Sequence, residues 1–144
     1  MGRPVSRYLL DTDTFSLFLQ NNVAVVQAVV AHLSDDLSVP VITVQEVWDG
    51  WAAAISRAKT PDQVALGYAR LTETLNELRN WSLVSFSIGA VARYLTLKKQ
   101  KLNVGSGDLK IASIAIESGA TVVTRNRRDF VRIPGAKIVD WSAS

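Results

Sequence analysis

Short apolar runs that stop at an acid or an amide alternate along this chain with longer stretches of helical spacing. Arg7 to Leu10 reads as a buried strand ending at Asp11. Thr14–Gln20 and Val23–Leu33 carry helix-like apolar spacing, broken by Ser34, Asp35 and Asp36. A second strand is expected over Leu37–Ile42, then a helix to about Arg57 with Thr43 as its N-cap and Glu46 closing a capping box. Thr60, Pro61 and Gln63 signal another helix start, and Val64, Leu71, Leu75 and Leu78 share one face after it. These two helices are expected to form a hairpin projecting from the sheet. Trp81–Phe86 reads as a strand, Ile88 to about Lys99 as a helix, and Asp108–Ser118 as a helix stopped by Gly119. Strands at Thr121–Thr124 and, on an edge, Lys137–Val139 complete the pattern, while Met1–Ser6 and Ser142–Ser144 read as loose ends. Alternation of this kind predicts an α/β fold: a mainly parallel sheet with helices on both faces, in a single domain over residues 1–144.

In a parallel sheet the strand-to-helix joints lie at one end, and ligands gather outside the carboxyl ends of the strands. The joints of this chain carry Asp11, Glu46, Asp108, and Asn126 with Asp129. Each has a local explanation: Asp11 or Asp13 can cap the first helix, Glu46 can close the capping box, and Asp108 can offset a helix dipole. Capping does not require them to share one end of a sheet. Carboxylates gathered there repel one another unless a hard divalent cation lies between them, which points to an open magnesium site. Asp11 and Asp108 are the expected direct ligands. Glu46 is expected to bind through water or to take the proton of an attacking water, with Asn126 and Asp129 completing or orienting the set.

Composition narrows the chemistry. With no cysteine among 144 residues, disulfides, thiolate zinc and a cysteine nucleophile are excluded. His32 is the single histidine and lies in an apolar helical run, so a histidine acid–base pair is excluded too. Gly105-Ser106-Gly107-Asp108 lacks the spacing and ending of a P-loop, and its glycines are expected to make room for a tight turn. Trp48, Trp51, Trp81 and Trp141 are read as core or interface residues. The net charge of +3 comes from clumped cations, Lys98, Lys99 and Lys101 and then Arg125, Arg127, Arg128 and Arg132. Arg125, Arg127 and Arg128, with Lys110, are the candidates for holding nucleic-acid phosphates. No membrane span or secretory signal is legible, so a cytoplasmic protein without membrane association is expected.

Several segments together resemble one family. Tyr8-Leu-Leu-Asp-Thr-Asp-Thr14, Val44-Gln-Glu-Val47, Gly105-Ser-Gly-Asp-Leu-Lys-Ile-Ala-Ser113 and Val122-Val-Thr-Arg-Asn-Arg-Arg-Asp-Phe130, followed by Ile133-Pro-Gly135 and Asp140-Trp141, are similar to the signature segments of PIN-domain ribonucleases, and within them of the VapC-like toxins of bacterial toxin–antitoxin pairs. The resemblance implies a three-layer α/β/α domain, dependence on Mg2+ or Mn2+, cleavage of RNA, homodimerisation and inhibition by a cognate antitoxin. Where many relatives carry a fourth aspartate after Thr-Arg, this chain has Asn126, which leaves its part open to Asp129. The competing expectations are a catalytically weak nucleic-acid-binding or regulatory PIN-like module and an aspartate-nucleophile phosphatase. The latter matches Leu10-Asp-Thr-Asp-Thr14 but lacks a paired-aspartate motif at Asp108.

Overall fold

The computed structural model of the chain describes residues 6–143. In chain order the elements are β1 (Arg7–Leu10), α1 (Thr12–Leu19), α2 (Val23–Ala31), β2 (Asp36–Pro40), α3 (Val41–Arg57), α4 (Pro61–Leu78), β3 (Ser82–Val84), α5 (Ile88–Lys99), α6 (Ser106–Ser118), β4 (Thr121–Val123), α7 (Arg127–Phe130) and β5 (Ile138–Val139). The strands form one sheet in the order β3-β2-β1-β4-β5, and every pairing in it is parallel.

Strand alternation divides the interior in two. Leu9 and Val122 point to one face and Leu10 and Val123 to the other, and all four are fully buried. On the first face pack α5 and α6, through residues such as Tyr94, Leu97, Ile111 and Ile114, closed by Phe130 and Ile133. On the second pack α1, α2 and part of α3, through Phe15, Val25, Val29 and Val47, with Trp141. The result is the expected three-layer α/β/α arrangement. The first turns of α3 lie beside α1 and α6 while its length runs along α4, so the predicted hairpin is present. There Gly67 passes so near Ile55 that a Cβ on it would come within 2.7 Å of that side chain.

Several boundaries differ from the sequence reading. β2 ends at Pro40, whose missing N–H costs nothing at a helix start, and α3 begins at Val41. Thr43 is therefore inside the helix. Its fully buried hydroxyl donates to Leu10 O at 3.0 Å, so it fastens α3 to the end of β1 instead of capping. Thr60 and Gln63 do form a capping box, and Gly119 takes the left-handed conformation that ends α6, φ 69°. Gly105 and Gly107 make no tight turn: neither has positive φ, and Gly107 is inside α6. Of the expected loose ends, Met1–Val5 and Ser144 lie outside the described residues. Ser6 is anchored through its N–H to Asp35 and its carbonyl to the Asp36 N–H, and Ser142 bonds to Asp140.

His32 is a packed residue, stacked on Trp141 with ring centroids 4.6 Å apart and edge-on to Tyr8. Trp51 donates to Thr74, Trp81 packs against Phe15 and Phe18, and only Trp48 of the tryptophans is exposed. No single helix among the described residues is long and apolar enough to cross a membrane.

Candidate active site

Asp11 follows directly on β1 and caps α1, its carboxylate accepting from the Thr14 N–H at 2.8 Å while its own N–H donates to Val123 O at 3.1 Å. It is thus fixed to two neighbouring strands. Burial pushes its carboxyl above the usual range, against the lowering effect of hydrogen bonds from Thr124 and Thr14. The local capping role and the expected site role coincide in this residue.

Glu46 projects from the second turn of α3, with Oε1 accepting from the Thr12 hydroxyl at 2.6 Å. It closes no capping box, because the helix begins at Val41. Asp108 stands in the first turn of α6 and is partly buried. Burial pushes its carboxyl up to about 6; the Asn126 hydrogen bond opposes this, and the charges of Asp11, Glu46 and Asp129 add to it. Three other carboxylates thus lie near enough to Asp108 for their charges to bear on it.

Asn126 sits in the loop between β4 and α7. Its Nδ2 donates to Asp108 Oδ2 and to Asp129 Oδ2, 3.0 Å each, while its own N–H donates to Thr124 Oγ1. The amide therefore bridges two carboxylates that would otherwise repel. Asp129, in α7, also faces Arg132 at 3.5 Å and stands behind Asn126 instead of on the cleft wall.

Together Asp11, Glu46, Asp108 and Asn126 line an open cleft of about 630 Å³ at the carboxyl end of the sheet. Thr12, Asp13, Ser16 and Arg125 complete its walls. The sequence reading assigned no site role to Thr12, Asp13 or Ser16, although all lie within one turn or so of Asp11. Arg125 forms a two-pronged ion pair with Asp13, one contact being 3.1 Å, so this arginine is engaged across the mouth of the cleft. Arg127 and Arg128 are exposed on α7. Lys110 points its ammonium over the Tyr94 ring at 5.6 Å, with Lys98 beside it at 5.9 Å.

The donor set is all hard oxygen plus one amide, which suits magnesium or manganese and not a softer metal. Among the described residues, no group of three or more acidic or histidine side chains is set to hold a metal ion by itself. Magnesium does not ask for one, since it keeps several waters and takes one or two carboxylates with substrate phosphates.

A family model for the PIN domain matches residues 8–136. The chain is 29% identical over 137 residues to ribonuclease VapC1 of Haemophilus influenzae (strain R2866), covering 94% of this chain and 98% of that protein. A shorter match, 44% over 45 residues, links 31% of it to ribonuclease VapC2 of Rickettsia felis. Among solved structures, VapBC2 from Rickettsia felis bound to a DNA fragment from their promoter aligns with TM-score 0.77 at 23% identity, covering 94% of this chain and 98% of that one. VapBC-1 from nontypeable Haemophilus influenzae aligns with TM-score 0.67 at 25% identity over 94% and 98% of the two chains.

Proposed function

The chain belongs to the PIN domain family, and from that premise we propose that it is a magnesium- or manganese-dependent endoribonuclease, the toxin of a toxin–antitoxin pair. The observation that carries the reading is the convergence of Asp11, Glu46 and Asp108, from three separate elements, on one cleft where the charges of Asp11 and Glu46 add to the cost of ionising the partly buried Asp108. Relatives of nearly the same length bear the name ribonuclease, and solved structures of the same fold are toxin–antitoxin complexes. They support a cognate antitoxin as the protein partner and RNA as the substrate. The protein is proposed to act as one domain, in the cytoplasm, as a homodimer.

Asp11 and Asp108 would hold the cation, with Glu46 close by. When bound, such an ion acidifies a water and offsets charge on a phosphate oxygen. Glu46, reaching into the cleft from α3, accepts the proton of the attacking water. Asn126 keeps the Asp108 carboxylate turned by its hydrogen bond, and Asp129 accepts a second hydrogen bond from the same Nδ2. Arg127 and Arg128 supply cations for RNA phosphates beside the cleft, with Lys110 and Arg125 as further candidates.

The test is cleavage of single-stranded RNA by the purified protein with magnesium, with manganese and with chelator. Cleavage that needs the metal and vanishes in Asp11→Asn and Asp108→Asn supports the reading. RNA binding that persists in chelator, with no cleavage under either metal, would favour a binding module instead.

A further inference from the structure

Gly107 lies in the first turn of α6, where its backbone does not call for glycine: among the described glycines only Gly119 and Gly135 have positive φ. What its missing side chain leaves is room. A Cβ on Gly107 would come 2.8 Å from Glu46 Oε2 and 3.2 Å from both Cδ and Oε1 of the same carboxyl group. On the other side, Oε1 accepts the 2.6 Å hydrogen bond of the Thr12 hydroxyl. Glu46 is otherwise exposed, and a glutamate on an open helix face samples many rotamers. Here its carboxylate is confined between a donor on α1 and bare backbone on α6.

We propose that Gly107 is a positioning residue for the nuclease reaction: by carrying no side chain, it lets the Glu46 carboxylate lie against the first turn of α6, next to Asp108. The inference rests on the nuclease reading above. A methyl group at this position would meet only the far end of a flexible side chain, so the fold would absorb it. Alanine is also the better helix former. Stability and metal binding should therefore respond in opposite directions to one substitution.

The experiment compares wild type, Gly107→Ala, Glu46→Gln and the double variant in three measurements: calorimetric manganese affinity without RNA, melting temperature without metal, and RNA cleavage. Gly107→Ala is expected to bind manganese and to cleave RNA roughly tenfold less well, the scale on which outer positioning groups act, while melting no lower than wild type. In the Glu46→Gln background the same substitution should add no further loss of affinity. Gly107→Ala paired with Glu46→Asp, whose shorter arm clears the methyl, should regain part of it. Wild-type affinity and rate in Gly107→Ala, an equal loss in the Glu46→Gln background, or a clearly lowered melting temperature would each overturn the role of Gly107. Inactivity of Asp108→Asn would still leave the nuclease standing in those cases. A wild-type protein that takes up no manganese and cuts no RNA removes both readings together.

Discussion

At the scale of single residues, Asp108 concentrates the electrostatics of the cleft. Its carboxyl titrates near 6 in the folded protein against 3.8 for the ordinary group, chiefly because it is buried. Between those values the folded protein keeps a proton that the unfolded chain has lost. Stability must then fall as pH rises through this window and level off above it. Asp108→Asn removes this ionisation, and asparagine can still accept the Asn126 hydrogen bond through its side-chain oxygen. The variant should match wild type below pH 3.8 and exceed it at neutral pH by about 1 kcal/mol, a figure already reduced for solvent screening of a partly exposed group. Urea unfolding of both proteins in metal-free buffer across this range checks it; parallel pH profiles would mean that the charge is relieved in some other way.

At the scale of elements, the junction from β2 into α3 sets where Glu46 points. Thr43 closes that junction with one buried hydrogen bond to Leu10 O, the residue before Asp11. Thr43→Val keeps the shape and removes the donor, which should cost about 1–2 kcal/mol and slow cleavage, read by urea midpoint and by RNA assay on the same preparation. A variant as stable as wild type would show that the carbonyl finds another donor. The junction also shows what the sequence conceals. Thr43 and Glu46 have capping-box spacing, yet Pro40 ends the strand and lets the helix start early, so the same letters serve a tertiary contact. Alternating runs point Asp11 and Glu46 to the carboxyl ends of the strands, whereas the place of Asp108 beside them depends on where its helix starts, and α6 does start at that cleft. Helix α7, four residues long, is too short to show a period. Nor does anything local announce that Asn126 will bridge Asp108 and Asp129, or that Arg125 will close on Asp13 across 112 positions of chain.

At the scale of the whole molecule, the surface divides by task. Arg125, Arg127 and Arg128 are all exposed next to Asn126, and Arg125 is already held by Asp13. Neutralising Arg127 and Arg128 together should weaken RNA binding and reduce the slope of log affinity against log salt by about 1–2, with antitoxin affinity little changed. An unaltered slope would place the RNA path elsewhere. On the α3–α4 pair Trp48, Leu66, Tyr68 and Leu75 are between 44% and 56% exposed, and Tyr68 and Leu75, seven residues apart, share one face of α4, apolar exposure that a twofold dimer would cover. Light scattering is expected to give twice the chain mass at tens of micromolar, the order at which a stable interface is filled, and a monomer there would count against it.

The strand order carries one more consequence. β1, first of the described strands in chain order, ends up in the middle of the sheet, and one of its edges waits for Thr121–Val123. Until that stretch emerges from the ribosome, the Asp11 N–H lacks its Val123 acceptor and Asp108 lacks Asn126. Late closure of this kind is the kinetic cost of a parallel sheet with distant partners. Nascent chains arrested before residue 121 should leave RNA intact, where the released protein cuts it; cutting by the arrested chains would show that the cleft forms without β4. Assembly in this order would withhold each nascent chain's own cutting of the message from which it is being read until β4 has emerged.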